Sequence, residues 1–468
     1  MASTYVNDLR LNEMATGDGS GTWGTTTNTN LELIAEAFGS GSEALSDAST
    51  ATITMADGAS DAARALALTL TGSLSQACTV TVAPNTVNKC WVIQNSAGAT
   101  VTISQGTGSN VVIPNGSIKM IVADGAGAGA AVTDVLDLTG GTGNIGFGSG
   151  ALGTAITTGT DNVAIGENAG DAMTTGSDNT FVGDNAGGGT TTGGNNVAIG
   201  SSALLANTTA SYNIGIGTDA GLAITTGDRN IAIGYQALKT NTVGDRSVAV
   251  GYSALYTQEP SSNADMANVA IGNLSMYSTT TGTNNTGVGF NTMFANTTGA
   301  SNVAIGYGAL DANTTADNNT AVGNSALTAN TTGALNVAVG ALSLDANTTG
   351  AYNTALGGQA LSANTTANYN VGVGLNALLV NTTGTLNVAV GALALDANTT
   401  ANNNVAVGHG SLSANTTGAS NVAVGTYALD ANTTASYNTA VGEAALGANT
   451  TGGTNVGIGA YALDANTT

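Results

Sequence analysis

Positive charge is almost missing from this chain. Its 468 residues include 7 Lys and Arg against 29 Asp and Glu, a formal net charge of −22, and no Lys or Arg follows Arg246. A nucleic-acid binder needs a cationic footprint and an anionic-membrane binder needs basic clusters, so neither partner is expected. No apolar run reaches the roughly 18 residues of a membrane span, so no membrane insertion is expected. A single histidine, His409, leaves no imidazole pair for a general base or a His-based metal site. Glycine-rich Gly146-Phe-Gly-Ser-Gly150 lacks the Lys and helix of a phosphate loop. Asp161 and Asp178 share one register, but the Gly-Gly-x-Gly-x-Asp calcium repeat is missing. The expectation is no enzyme: no catalytic residue, no cofactor and no metal. Cys78 and Cys90 are the only cysteines; each opens an apolar strand, and free thiols are expected in a chain made in reducing cytosol.

What is present is repetition. Asn336-Val-Ala-Val-Gly-Ala-Leu-Ser-Leu-Asp-Ala-Asn-Thr-Thr-Gly350-Ala-Tyr352 is followed by a copy from Asn353, another from Asn370, and so on every 17 residues to Asn455. Backwards, the frame holds to Asn144 with one extra residue before Asn162 and four before Asn268, giving 19 copies. Position five is Gly in all of them, and position one is Asn in all but Ser247. A fixed short period marks a solenoid. Copies rich in Gly, Thr, Asn and Val are poor helix formers.

Positions two to five read as a strand, with two and four on one face and three on the other. Position four is always large and apolar, and is assigned to the core: Ile165, Ile199, Ile233, Ile305, Val339, Val390 and Val424. Position three is Ala or Gly except at Phe181; it is expected to face a neighbouring chain, with Phe181 marking a local widening. A second strand is expected at positions eight and nine, and turns at Asn-Thr-Thr-Gly/Ala. The Asn-x-Thr triplets at Asn313, Asn330 and Asn347 match a glycosylation acceptor but are read as turns. Stacked copies place Asn302, Asn319, Asn336, Asn353 and Asn370 above one another as a side-chain ladder. At about 4.8 Å per coil the stack makes a rod of roughly 90 Å. The four-residue insertion in Thr257–Ala267, with Pro260, is expected to bulge without breaking it.

Asn-Val-Ala-Ile-Gly at 196–200 and 302–306 resembles the repeat of trimeric autotransporter adhesin heads, which are parallel β-rolls. The longer Asn230-Ile-Ala-Ile-Gly-Tyr-Gln-Ala-Leu238 resembles bacteriophage tail-fibre shafts. The resemblance implies a homotrimer. The 17-residue copy is longer than the adhesin-head unit.

Ahead of the repeat, residues 1–50 are set apart. Thr29 with Glu32 forms a capping-box signal for a short helix, with Leu31, Ile34, Ala35 and Phe38 as its apolar stripe. The phrase Trp23-Gly followed by Asn30-Leu31 and Ile34 resembles the virion-docking segment of tail-fibre proteins, which makes Trp23, Leu31, Ile34 and Phe38 docking candidates. Residues 39–49 read as a linker. Residues 51–137 carry seven or eight short strands separated by turn signals and predict a β-sandwich or jelly roll. A Gly-rich junction at 138–143 leads to the shaft, 144–468.

The expected fold is therefore all-β: a small sandwich followed by a 19-coil β-roll, trimeric by resemblance. The expected function is a phage tail fibre docked by its N-terminal region onto a tail, baseplate or portal-proximal protein and contacting a host receptor through a distal tip. No apolar signal peptide opens the chain, which fits synthesis in the host cytoplasm and release in the virion. The alternative is a bacterial surface adhesin or extracellular filament. A glycan-cleaving spike would need paired carboxylates in a groove, which uniform coils do not build.

Overall fold

The computed structural model describes residues 9–12, 20–135, 143–153 and 156–468; most of the Gly-rich junction lies outside them. The chain divides into two compact units, Met1–Gly140 and Gly141–Thr468.

The first unit opens with helix α1, Trp23–Ala37, followed by β1 (Ser40–Leu45), β2 (Thr50–Thr54), β3 (Ala67–Gly72), β4 (Cys78–Ala83), β5 (Asn88–Ser96), β6 (Val101–Ser104), β7 (Val111–Ile113), β8 (Ile118–Asp124) and β9 (Val132–Asp134). The strands form two sheets, β1-β3-β5-β8-β9 and β2-β4-β6-β7. This is a sandwich, but not a jelly roll. The chain alternates between sheets, so β1, β3 and β5 pair in parallel, as do β2, β4 and β6; only the last strands pair antiparallel. Leu68, Leu70, Trp91 and Ile93 of one sheet meet Val80, Val82, Ile103 and Ile113 of the other in one core. The expected linker at 39–49 contains β1. Its Gly-Ser composition reflects close packing, since a Cβ on Gly41 would lie 2.6 Å from the Ala62 carbonyl oxygen. Arg64 is fully buried, donating to the Ala56 (2.6 Å), Ala59 (3.0 Å) and Leu9 carbonyls and pairing with Asp61 at 3.1 Å.

The second unit is a parallel β-solenoid. Nineteen three-residue strands, from Ile145–Phe147 to Val456–Ile458, form one sheet in sequence order. Registration is exact from copy to copy: Val337, Ala338 and Val339 lie against Thr354, Ala355 and Leu356. The insertion does not interrupt the sheet, because Val248 pairs directly with Val269 across it.

The expected second strand at positions eight and nine is absent among the described residues; the only second strands there are Gly244–Asp245 and Ala264–Asp265, which pair with each other beside the insertion. At positions eight and nine the chain turns, with left-handed backbone at seven, nine and seventeen (Leu342 φ +55°, Leu344 φ +53°, Tyr352 φ +61°). Such residues cost roughly 1–2 kcal/mol each. They persist because the turns are bonded to adjacent coils: Leu344 N–H to Ala360 O at 3.0 Å, Thr348 N–H to Thr365 O at 2.8 Å, Tyr352 N–H to Ala334 O at 3.1 Å. The invariant Gly has its own cause. Gly340 has φ +135°, and a Cβ there would meet Gly357 O at 2.5 Å.

The expected assignment of inside and outside is reversed. Ala338, Ser343, Leu344, Asn336 and Asn347 are fully buried. Position four faces out: Ile165, Ile199, Ile305 and Val390 are 42, 39, 41 and 36 % exposed, and Ile233, Val339 and Val424 are half-buried. Residue size misleads here because the coil is thin. The Leu at position nine fills the interior from the opposite wall, leaving the strand room for Ala alone. Phe181 is likewise interior, not a widening: it is fully buried, and position nine is Gly in its own coil (Gly187) and in the one before (Gly170).

Candidate interaction surface

The outward face of the solenoid sheet is built from positions two and four. Of these 38 side chains, 33 are aliphatic or Phe, five are Thr, and none is charged. Nineteen strands at about 4.8 Å and three residues at about 3.3 Å give a strip on the order of 900 Å². A soluble monomer rarely leaves a contiguous apolar patch beyond a few hundred Å²; a standard interface covers about 800 Å² per partner.

Two buried amide columns run from coil to coil along the solenoid. At position one, the Asn side chain accepts from the backbone of the next Asn: Asn319 N–H to Asn302 Oδ1 at 2.9 Å, Asn336 to Asn319 at 2.9 Å, Asn353 to Asn336 at 3.0 Å, Asn370 to Asn353 at 3.0 Å. At position twelve the column is side chain to side chain: Asn330 Nδ2 to Asn313 Oδ1 at 3.1 Å, Asn347 to Asn330 at 2.9 Å, Asn364 to Asn347 at 2.9 Å. Both columns close on one carbonyl, since Asn336 Nδ2 and Asn347 Nδ2 donate to Gly350 O at 2.8 and 2.9 Å. The Asn of Asn-Thr-Thr is thus an interior residue, beyond reach of a glycan. The signal missed in the sequence was its invariance of type in late copies, where a turn alone would accept Gly or Asp.

Other outward columns are polar or aromatic. Tyr256, Tyr277 and Phe294 stack at 5.0 and 5.3 Å, and Tyr352 on Tyr369 at 4.9 Å. Their ring faces cover one another, leaving edges to solvent. At position ten, Asp311, Asp396 and Asp430 are held above the usual carboxylate range by burial; Asp311 Oδ1 and Asp396 Oδ1 are buried without a partner. Asp345 instead accepts from Ser362 Oγ at 2.6 Å. His409 lies edge-on to Tyr427 at 5.2 Å. Among the described residues, no three His, Cys, Asp or Glu side chains converge as metal ligands.

The N-terminal candidates are divided by the fold. Helix α1 starts six residues before the expected capping box, so Thr29 is internal and its hydroxyl bonds back to Thr25 O at 3.0 Å. Its packed residues are Leu33 and Ala37. Trp23, Leu31 and Phe38 are exposed and Ile34 is half-buried, so the expected stripe does not pack inward. Asn12 crosses the helix, its backbone N–H donating to Asn30 Oδ1 and its carbonyl accepting from Asn30 Nδ2, both at 3.2 Å. Cys78 on β4 and Cys90 on β5 belong to different sheets and are free thiols, with burial pushing Cys78 up.

No protein-family model, no curated protein and no solved structure matches this chain.

Proposed function

We propose that this chain is a structural fibre protein: a phage tail fibre whose N-terminal unit docks onto the virion and whose solenoid is a passive shaft for host adsorption. The observation that carries this reading is the unbroken, uncharged strip along 19 coils, paired with an interior built mainly of Ala, Leu and amide columns. Such a structure transmits length and stiffness. The strip is best covered by sister chains, because identical 17-residue pitch lets every coil meet its counterpart in register; cyclic symmetry closes the contact. Three chains accord with the resemblance to adhesin heads and fibre shafts. Trp23, Leu31 and Phe38 supply an exposed apolar face for docking.

The test is incorporation. Particles assembled with a chain lacking residues 1–38, a deletion that spares β1, are expected to lose the fibre in negative-stain images while the released chain still forms rods. Normal incorporation of that deletion would overturn the docking assignment, and labelling of cell surfaces in place of particles would favour the adhesin reading.

A further inference from the structure

The copies are not equivalent in what they permit as neighbours. From Asn302 onward the interior set is close to constant: Asn at one, Ala or Gly at three, Ala or Ser at eight, Leu at nine, Asn at twelve. The interior of any of these coils fits on any other, so a shift of one whole copy leaves the interior contacts intact except at the ends, although surface pairs such as Tyr352 with Tyr369 and Asp345 with Ser362 are lost.

Between Asn162 and Asn302 several coils are matched to particular neighbours, while those from Asn196 and Asn230 carry the same interior set as the later copies. A Cβ on Gly187 would fall 2.6–2.7 Å from the Phe181 ring, and one on Gly170 would fall 2.8 Å from it. Phe181 therefore requires Gly at position nine both in its own coil and in the preceding one. Ser275 Oγ and Thr292 Oγ1 pair at 2.7 Å, and a Cβ on Gly287 would come within 2.8 Å of both. Gln258 bonds Ser247, Asn241 and Asn268 in three successive coils. Each match ties particular neighbours and no others.

We infer that coils 162–301 are the register key of the shaft, and that coils 302–468 are an interchangeable extension whose number sets fibre length. A slip by one coil in the key parts Phe181 from Gly170, setting either a Leu at position nine against the ring or Gly170 against an Ala strand, and so produces a clash or a void. The same slip in the extension replaces like with like. The key thus gives one alignment to a sequence that otherwise has many of nearly equal energy. Nearest-neighbour coupling along a solenoid keeps the two halves separable in this way.

The test uses the full chain with in-frame coil deletions, melted by far-ultraviolet circular dichroism. Removing 336–369, two extension coils, is expected to leave a cooperative transition within about 3 °C of the parent. Removing 179–195, one key coil, is expected to lower it by more than about 5 °C or abolish cooperativity. Equal lowering by both deletions would overturn the inference, as would failure of the extension deletion to fold. A second pair keeps the test independent of deletion. Phe181→Ala is expected to lower the transition, and adding Gly187→Leu to restore it, since Leu at position nine elsewhere adopts the same left-handed backbone as Gly187 (Leu344 φ +53°, Gly187 φ +59°). No restoration by the second substitution would contradict the matched-volume argument.

Discussion

Gln258 carries the polar interior across the one coil that begins with serine. Its Nε2 donates to Ser247 Oγ at 3.0 Å, and its Oε1 accepts from Asn268 Nδ2 at 3.0 Å, the amide that would otherwise have faced an Asn at position 247. A longer amide at position twelve replaces a missing amide at position one. Ser247→Asn alone is expected to destabilise the solenoid by about 1–3 kcal/mol by crowding Gln258, and Gln258→Asn alone by a similar amount through unpaired buried groups. The double substitution restores the regular coil, so a double-mutant cycle by urea unfolding should show a coupling that offsets most of the two single losses. Additive losses would contradict the exchange.

Inside and outside are tested by adjacent residues. Ala338→Asp places a charge in a sealed interior and is expected to remove cooperative folding of the surrounding coils. Val339→Asp, one residue on, points to the strip and is expected to leave the coil intact while weakening association. Circular dichroism separates the two, and equal effects would refute the assignment.

The position-twelve column should behave as a buried network. Asn347→Ala removes a donor to Gly350 O and to Asn330 Oδ1 and the acceptor of Asn364. The expected cost is about 2–4 kcal/mol, read from urea midpoints. Thr349→Ala, on the exposed side of the same turn, is expected to change stability by less than about 0.5 kcal/mol.

Acid should stabilise the shaft before it harms it. Asp311, Asp396 and Asp430 are raised by burial, so the folded state binds their protons more tightly than the unfolded state does. Their contribution is fully present below the ordinary carboxylate range and is lost as pH rises through the raised folded values. Thermal midpoints are expected to climb as pH falls through the raised folded values towards the ordinary carboxylate range. Asp311→Asn with Asp396→Asn should raise the midpoint at pH 7 and flatten that climb; an unchanged slope would count against it.

The coiled architecture was legible because one period of 17 residues is repeated with a Gly that only stacked coils require. The strands of the N-terminal unit were legible from β-branched runs bounded by turns, apart from β1, whose Ser40-Gly-Ser sequence looks like a linker until Gly41 is seen against Ala62. The facing of the coil was not legible. Alternation gives two faces but not which is inside, and the size rule that favours large residues in cores fails where Leu344 fills the space from across the coil. The second Asn column was hidden by turn chemistry, because Asn serves turns and amide columns equally well. Likewise Leu31, Ile34, Ala35 and Phe38 were found as apolar residues at helical spacing and Trp23 through its phrase, but the packed pair Leu33 and Ala37 is fixed by tertiary packing, which local sequence does not encode.

The most direct test of the account is the solution mass of the full chain with and without a disrupted strip. Sedimentation equilibrium of the unmodified protein is expected to give three times the 45.2 kDa of one chain. Ile199→Lys, Val339→Lys and Val390→Lys together should yield folded single chains with unchanged circular dichroism. A dimer would keep the strip as the contact and lose the threefold symmetry. A stable, soluble single chain with the strip intact would contradict the account.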